Sequence, residues 1–237
     1  MTGTDDAALR AERSDPNTEV AVLLHDGVTA LVAIGPYEIL GGMPGAEVKF
    51  VAKAPGPVRT DSGFLSLTAD YPLDNVPEPD VLLVPFLGPA AMGDERLLAW
   101  IRSAHRTSRW TTSVCAGSLM LGAAGLLDGL RATGHWVTKD ILESFGATYV
   151  PDERYVRQGR IVTAAGVSSG IDMALYLVGE IAGAKEARVR QLMTEYDPKP
   201  PFDAGSAAKA DREVVELAAA RYRGLVGGLS AERGARP

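Results

Sequence analysis

The chain has 237 residues, 46% of them hydrophobic and 23% charged, and a net charge of −6. That is ordinary globular composition with enough apolar mass for one sizeable core, and its acidic balance argues against nucleic acid as the main partner, because phosphate binding needs clustered Lys and Arg. The single cysteine excludes an internal disulfide and any cysteine-rich zinc site, and no apolar run reaches the ~18 residues that a membrane-spanning helix needs.

Residues 1–18 are polar and acidic without periodicity, which predicts a loose tail and not a signal peptide, hence a soluble cytoplasmic protein. From Glu19 the run EVAVLL predicts a strand buried on both faces. The loop HDGVTA follows, then a short helix over 32–40 that places Pro36 near its first turn, where proline is tolerated. AEVKFVA (46–52) predicts the next strand, and VRT with FLSLTA predicts a small hairpin around Asp61-Ser62-Gly63. The turn Pro77–Asp80 launches VLLVP, a second buried strand. RLLAWIRSAH (96–105) has helical spacing, and WTTSV (110–114) predicts a strand running into Cys115 and a small-residue helix, AGSLMLGAAGLL.

Beyond Gly134-His135 the pattern predicts a helix near 139–145 and short strands at 148–150, 154–157 and 161–165. A long apolar helix (169–183) comes next and continues helically through AKEARVRQLM. Residues 207–223 have the spacing of one more amphipathic helix, and 227–237 read as loose. Strands alternating with helices predict one α/β domain, a mostly parallel sheet between two helical layers.

Cys115 stands at a strand-to-helix turn, TSVCAGS. Ligands of open α/β sheets bind beyond the carboxyl ends of the strands. A thiol at a helix N-terminus sees the positive end of the dipole, which favours thiolate. Ala116, Gly117 and Ser118 are small enough to let the backbone turn sharply and leave its N–H groups free. A buried, inert cysteine fits the same turn equally well.

The blocks VCAGSLMLGAAGLL, RATGHW, IVTAAGVSSGIDMALYLV and EYDPKPPFDAGS, in this order and spacing, resemble the ThiJ/PfpI superfamily of class I amidotransferase-like proteins, nearest to the isonitrile hydratase branch. The resemblance covers 19–208 and leaves 1–18 as a tail and 209–237 as a C-terminal helix with a loose end. It implies a flavodoxin-like fold, a nucleophilic Cys115 at the elbow and a homodimer acting on a small molecule. In the hydratase branch it implies a hydro-lyase: thiolate attacks the terminal carbon of an isonitrile, and water releases an N-substituted formamide. The same module forms the N-terminal half of certain transcription regulators, but the stretch after 208 is too short for their helix-turn-helix domain.

The sequence departs from that pattern at the site. The family's acid in Asp-x-x-Gly-Pro-x-Glu is Val32 here, which cannot exchange a proton. The residue after the cysteine, usually Thr in the hydratases, is Ala116. The Gly-Gly that helps form the oxyanion hole is replaced by Phe86 and Leu87, with Gly88 arriving late. Val32, Phe86, Leu87, Gly88, Ala116 and His25 are therefore expected to line the substrate pocket. His135, in RATGHW, is the first candidate to replace the acid, with Asp172 orienting its ring in a cysteine–histidine–acid relay. His135 as a core residue and Asp172 as a helix cap are the alternatives.

His25 and Asp26 end the first strand at the same sheet edge as Cys115, where a solvated loop is the alternative. His105 is expected on the surface, and Glu38 to face a neighbour or a dimer mate. Tyr37, Trp136 and Tyr155 are expected to pack. Three scattered histidines and one cysteine fit no zinc spacing, and no phosphate loop follows a strand, so no metal and no cofactor are expected. Three functions stay open: a hydratase-like enzyme with an altered acid–base set, a different cofactor-free enzyme with an apolar pocket, or a non-enzymatic binding or stress-related dimer.

Overall fold

The computed structural model describes residues 17–86 and 88–226. The run EVAVLL becomes β1 (Thr18–Leu23), almost wholly buried. It pairs in parallel with β2 (Ala46–Ala52) on one side and β6 (Val81–Val84) on the other, which is why its apolar residues are continuous and not alternating. β7 (Trp110–Val114) and β11 (Ile161–Ala164) extend the parallel sheet beyond β6, and β5 (Tyr71–Pro72) extends it beyond β2. Only β10 (Tyr155–Gln158), at the far edge, is antiparallel. The full order is β10-β11-β7-β6-β1-β2-β5. β3 (Gly56–Arg59) and β4 (Ser66–Ala69) form the expected hairpin, and β8 (Arg131–Ala132) and β9 (Thr148–Tyr149) a small separate pair.

Helices cover both faces. α1 (Ala30–Leu40) packs on α5 (Ser169–Ala182), and α2 (Glu95–Thr107) packs on β6 and on α3 (Gly117–Ala123). α4 is the short helix Lys139–Glu143, and α6 (Ala184–Met193) follows α5. α2 shows the sequence logic most clearly. Asp94 caps it by accepting from the N–H groups of Arg96 and Leu97 at 3.1 and 3.3 Å, and Leu97, Leu98, Ile101 and Ala104 form its buried stripe.

Several details differ from the sequence-based expectations. α1 begins two residues early, so Pro36 falls in its second turn and cannot donate to the Val32 carbonyl. Gly170 makes room for it: a Cβ there would lie 2.9 Å from Pro36 Cγ. Gly183, at φ 90°, breaks the expected continuous helix into α5 and α6. The small-residue helix after Cys115 ends at Ala123. Its Gly122 packs under Phe145, so this face is spent inside the fold. His105 is half-buried and not on the surface, with Nδ1 2.8 Å from Oγ1 of Thr111 on β7. Finally, α7 (Arg212–Val226) is not an appendage: Val215, Ala219 and Tyr222, at helical spacing, turn inward.

The elbow rests on one glycine. A Cβ on Gly117 would sit 2.1 Å from the Val84 carbonyl oxygen, inside β6. Gly117→Ala is expected to cost about 3 kcal/mol or more, because neither the strand nor the elbow can move aside. A denaturant midpoint equal to that of the parent protein would contradict this packing.

Candidate active site at the strand-to-helix elbow

Cys115 has φ 63°, the left-handed region that non-glycine residues rarely adopt. Its N–H is shared between the carbonyls of Ala164 and Ala165, at 3.1 and 3.0 Å, at the end of the neighbouring strand β11. Its carbonyl accepts from Ser118 Oγ at 3.2 Å. These bonds hold the strained residue in place, an arrangement that concentrates at functional sites. The loop carrying Gly134 lies directly on the elbow, where a Cβ would meet Ser118 Oγ and the Cys115 carbonyl.

Cys115 is 1% exposed. Three donors face it: the Ala116 and Val167 N–H groups and the Tyr222 hydroxyl, with Tyr222 Oη 3.5 Å from Sγ. Burial pushes the thiol pKa up, and the three donors offset only part of that shift by favouring thiolate. The expected lowering by the elbow is therefore corrected: α3 is a short helix, and the dry surroundings outweigh it. Burial raises Tyr222 as well, with the neighbouring sulfur adding to the effect, so the phenol stays protonated throughout the physiological range. The Asp61 carboxylate, held by Thr29 Oγ1 at 2.5 Å, adds a negative field that opposes ionisation of both groups.

His135 does not pair with the sulfur. Its ring lies flat on Tyr222, with centroids 3.9 Å apart and planes at 4°, and also stacks against Trp136. Its Nδ1 accepts from the Val137 N–H at 3.4 Å, which assigns the proton to Nε2. Burial pulls its pKa down to about 4, so the ring is neutral. The sign of its linkage follows. Between pH 6.5 and about 4 the unfolded chain holds a proton on this imidazole and the folded chain does not. Stability is therefore expected to fall as pH drops through that window, and His135→Gln should flatten the fall. Denaturant midpoints of both proteins across these pH values check it; parallel curves would contradict it.

Asp172 does not orient His135 either. Its carboxylate accepts from Arg154 Nε at 2.9 Å, from Arg154 Nη2, and from Tyr196 Oη at 3.1 Å. The nearest strong cation claims it, on the outer side of α5. His25 is half-buried with Nδ1 2.9 Å from the Asp26 carbonyl, while the Asp26 carboxylate accepts from the Arg59 N–H, so both belong to their loop. Glu38 is exposed.

Among the expected lining residues, Val32 is fully buried, and Ala116 is buried beside the sulfur. Phe86 is buried with its ring 6.4 Å from that of Tyr222. Gly88, at φ 78°, packs against the Asp26 carbonyl. Leu87 lies outside the described residues. Among the described residues, no three His, Cys, Asp or Glu side chains converge as a metal site would require, and no helix is long and apolar enough to cross a membrane.

Tyr222 is the site residue that sequence reasoning missed. The only signal was its place on the inward stripe of a C-terminal amphipathic helix, which says that it packs but not on what.

The family model described as DJ-1/PfpI matches residues 18–180. The chain belongs to the DJ-1/PfpI family. It is 43% identical to the isonitrile hydratase of Pseudomonas putida over 86% of this chain and 89% of that one. It is 33% identical to the HTH-type transcriptional regulator CdhR of Pseudomonas aeruginosa, over 56% of this chain but only 40% of the regulator. The crystal structure of a ThiJ/PfpI family protein from Pseudomonas syringae superposes with a TM-score of 0.87 at 34% identity, over 98% of this chain and 96% of that one. The mostly parallel sheet with helices on both faces is thus the fold of this family.

Proposed function

We propose that the protein is a cysteine-dependent hydratase of organic isonitriles, working in the cytoplasm with an altered acid–base set. The observation that carries this reading is the strained Cys115, with two backbone N–H groups and one hydroxyl aimed at its sulfur. The 43% identity to an isonitrile hydratase over nearly the whole of both chains supports it. A nucleophile needs such donors, because they stabilise the charge that develops as the sulfur–carbon bond forms and breaks.

In the proposed reaction Sγ bonds to the terminal isonitrile carbon, which gains a proton to become a thioimidate. Water adds to that carbon, and collapse of the adduct restores the thiol and releases the formamide. Val32 supplies no proton, and the walls formed by Val32 and Phe86 suit an apolar substituent on nitrogen. The test is incubation with a simple alkyl isonitrile and detection of the N-substituted formamide by mass spectrometry. Formamide above the uncatalysed background supports the reading, and none at any pH from 6 to 10 sinks it.

One observation favours a second reading, a different cofactor-free function for an apolar metabolite with the cysteine as pocket wall: the sulfur is sealed beneath Tyr222. Under it, substitution of Cys115 would leave activity or binding intact.

We also propose a homodimer, through the apolar groove between α1 and α5. Leu31 and Tyr37 are 42% and 37% exposed there, and a groove of about 510 Å³ lined by Ile34, Ile39, Ile171 and Tyr196 lies beside them. Light scattering at micromolar concentration is expected to give twice the 25.0 kDa chain mass. A 25.0 kDa species would refute it.

A further inference from the structure

Loss of the carboxylate at position 32 leaves the proposed hydratase without an evident proton carrier, yet the first chemical step needs no net proton. Addition of a thiol to an isonitrile puts both sulfur and hydrogen on the same carbon. The proton that leaves sulfur is the proton that carbon requires. A single group able to take one and give the other is therefore enough, provided that it touches the sulfur.

Tyr222 meets that requirement. Its hydroxyl is 3.5 Å from Sγ. Its ring is fixed by the flat stack on His135 and by Phe86 on another side, so the oxygen has little freedom to wander. The other polar side chains considered for the role are committed elsewhere: Asp172 to Arg154 and Tyr196, His25 to the Asp26 carbonyl, and His135 Nδ1 to the Val137 N–H. The neighbouring residue Ala116 offers only its backbone.

We infer that the Tyr222 hydroxyl, carried by the C-terminal helix α7, is the proton relay of the site. This rests on the isonitrile reading above. As the Sγ–carbon bond forms, one π pair of the C≡N bond moves to nitrogen. The carbon lone pair takes the Tyr222 hydroxyl proton, and the Tyr222 oxygen takes the proton from Sγ. One S–H bond breaks, one S–C and one C–H bond form, and the phenol is unchanged. In the second half-reaction water adds across the C=N bond, its oxygen to carbon and a proton to nitrogen. The C–S bond then breaks as the carbonyl forms, and the hydroxyl proton of the adduct returns to sulfur through the same tyrosine.

The experiment compares kcat and KM of the parent protein, Tyr222→Phe and Tyr222→Ala with an alkyl isonitrile, alongside thermal melts. Phenylalanine keeps the ring and its stacking and removes only the hydroxyl. A relay predicts that kcat of Tyr222→Phe falls by about a hundredfold or more, as loss of a general acid–base group does, with KM and melting temperature little changed and Tyr222→Ala no more active than it. If Tyr222→Phe keeps kcat within about threefold of the parent while Tyr222→Ala loses it, the ring only packs and the relay is wrong. A parent protein that makes no formamide overturns the isonitrile reading itself, and the relay with it. An active parent with an active Tyr222→Phe overturns the relay alone.

Discussion

Replacing Cys115 with serine is expected to reduce formamide production to below about one ten-thousandth of the parent rate, because the nucleophile is removed and not merely slowed. The serine hydroxyl ionises far less readily than the thiol, and the burial that already raises the thiol would raise it further. The backbone donors at Ala116 and Val167 cannot compensate, since they stabilise charge that serine does not reach. The substitution is nearly isosteric, and the new hydroxyl can bond to Tyr222, so the melting temperature should change little. Formamide release at saturating isonitrile, with a melt as control, gives the result. Activity within tenfold of the parent would assign the cysteine to the pocket wall.

The second large effect concerns access to the sulfur. In the parent protein iodoacetamide should label Cys115 slowly at pH 7 and with a midpoint above the ordinary thiol value, since burial raises the thiol and α7 covers it. Val215, Ala219 and Tyr222 are the inward-facing residues that seat α7, while Val214 and Leu217 remain exposed. Tyr222→Ala deletes most of the buried apolar area of that contact, worth about 2 kcal/mol, which is more than tenfold in the population of the open state. Labelling at fixed pH should accelerate by about that factor, because alkylation passes through the open form. Rapid labelling of the parent at pH 7, unchanged in Tyr222→Ala, would show that α7 does not guard the site.

The fold was legible because buried parallel strands announce themselves. EVAVLL and VLLVP are continuous apolar runs, and both lie at the centre of the sheet. The hairpin turn around Asp61 and the elbow at Cys115 were legible from their turn residues. What remained hidden depended on contacts between residues distant in sequence. Cys115 and Tyr222 are 107 positions apart, and nothing in either segment specifies the other. The choice of Asp172 failed for the same reason. Its partner was set by Arg154 arriving on the adjoining strand segment, and SSGID alone does not reveal a cation. The pull of the helix terminus on the thiol could be stated from sequence. It could not be weighed until the depth of the sulfur and the short length of α3 were known.

The central claim, that Cys115 becomes covalently bonded to the isonitrile carbon, is tested most directly by intact-mass spectrometry of acid-quenched reactions. The parent protein should show, during turnover, a species heavier by the mass of one isonitrile, mapped by peptide analysis to Cys115 and absent in Cys115→Ser. Steady formamide production with no such adduct at any quench time, or with the adduct on another residue, would contradict the account.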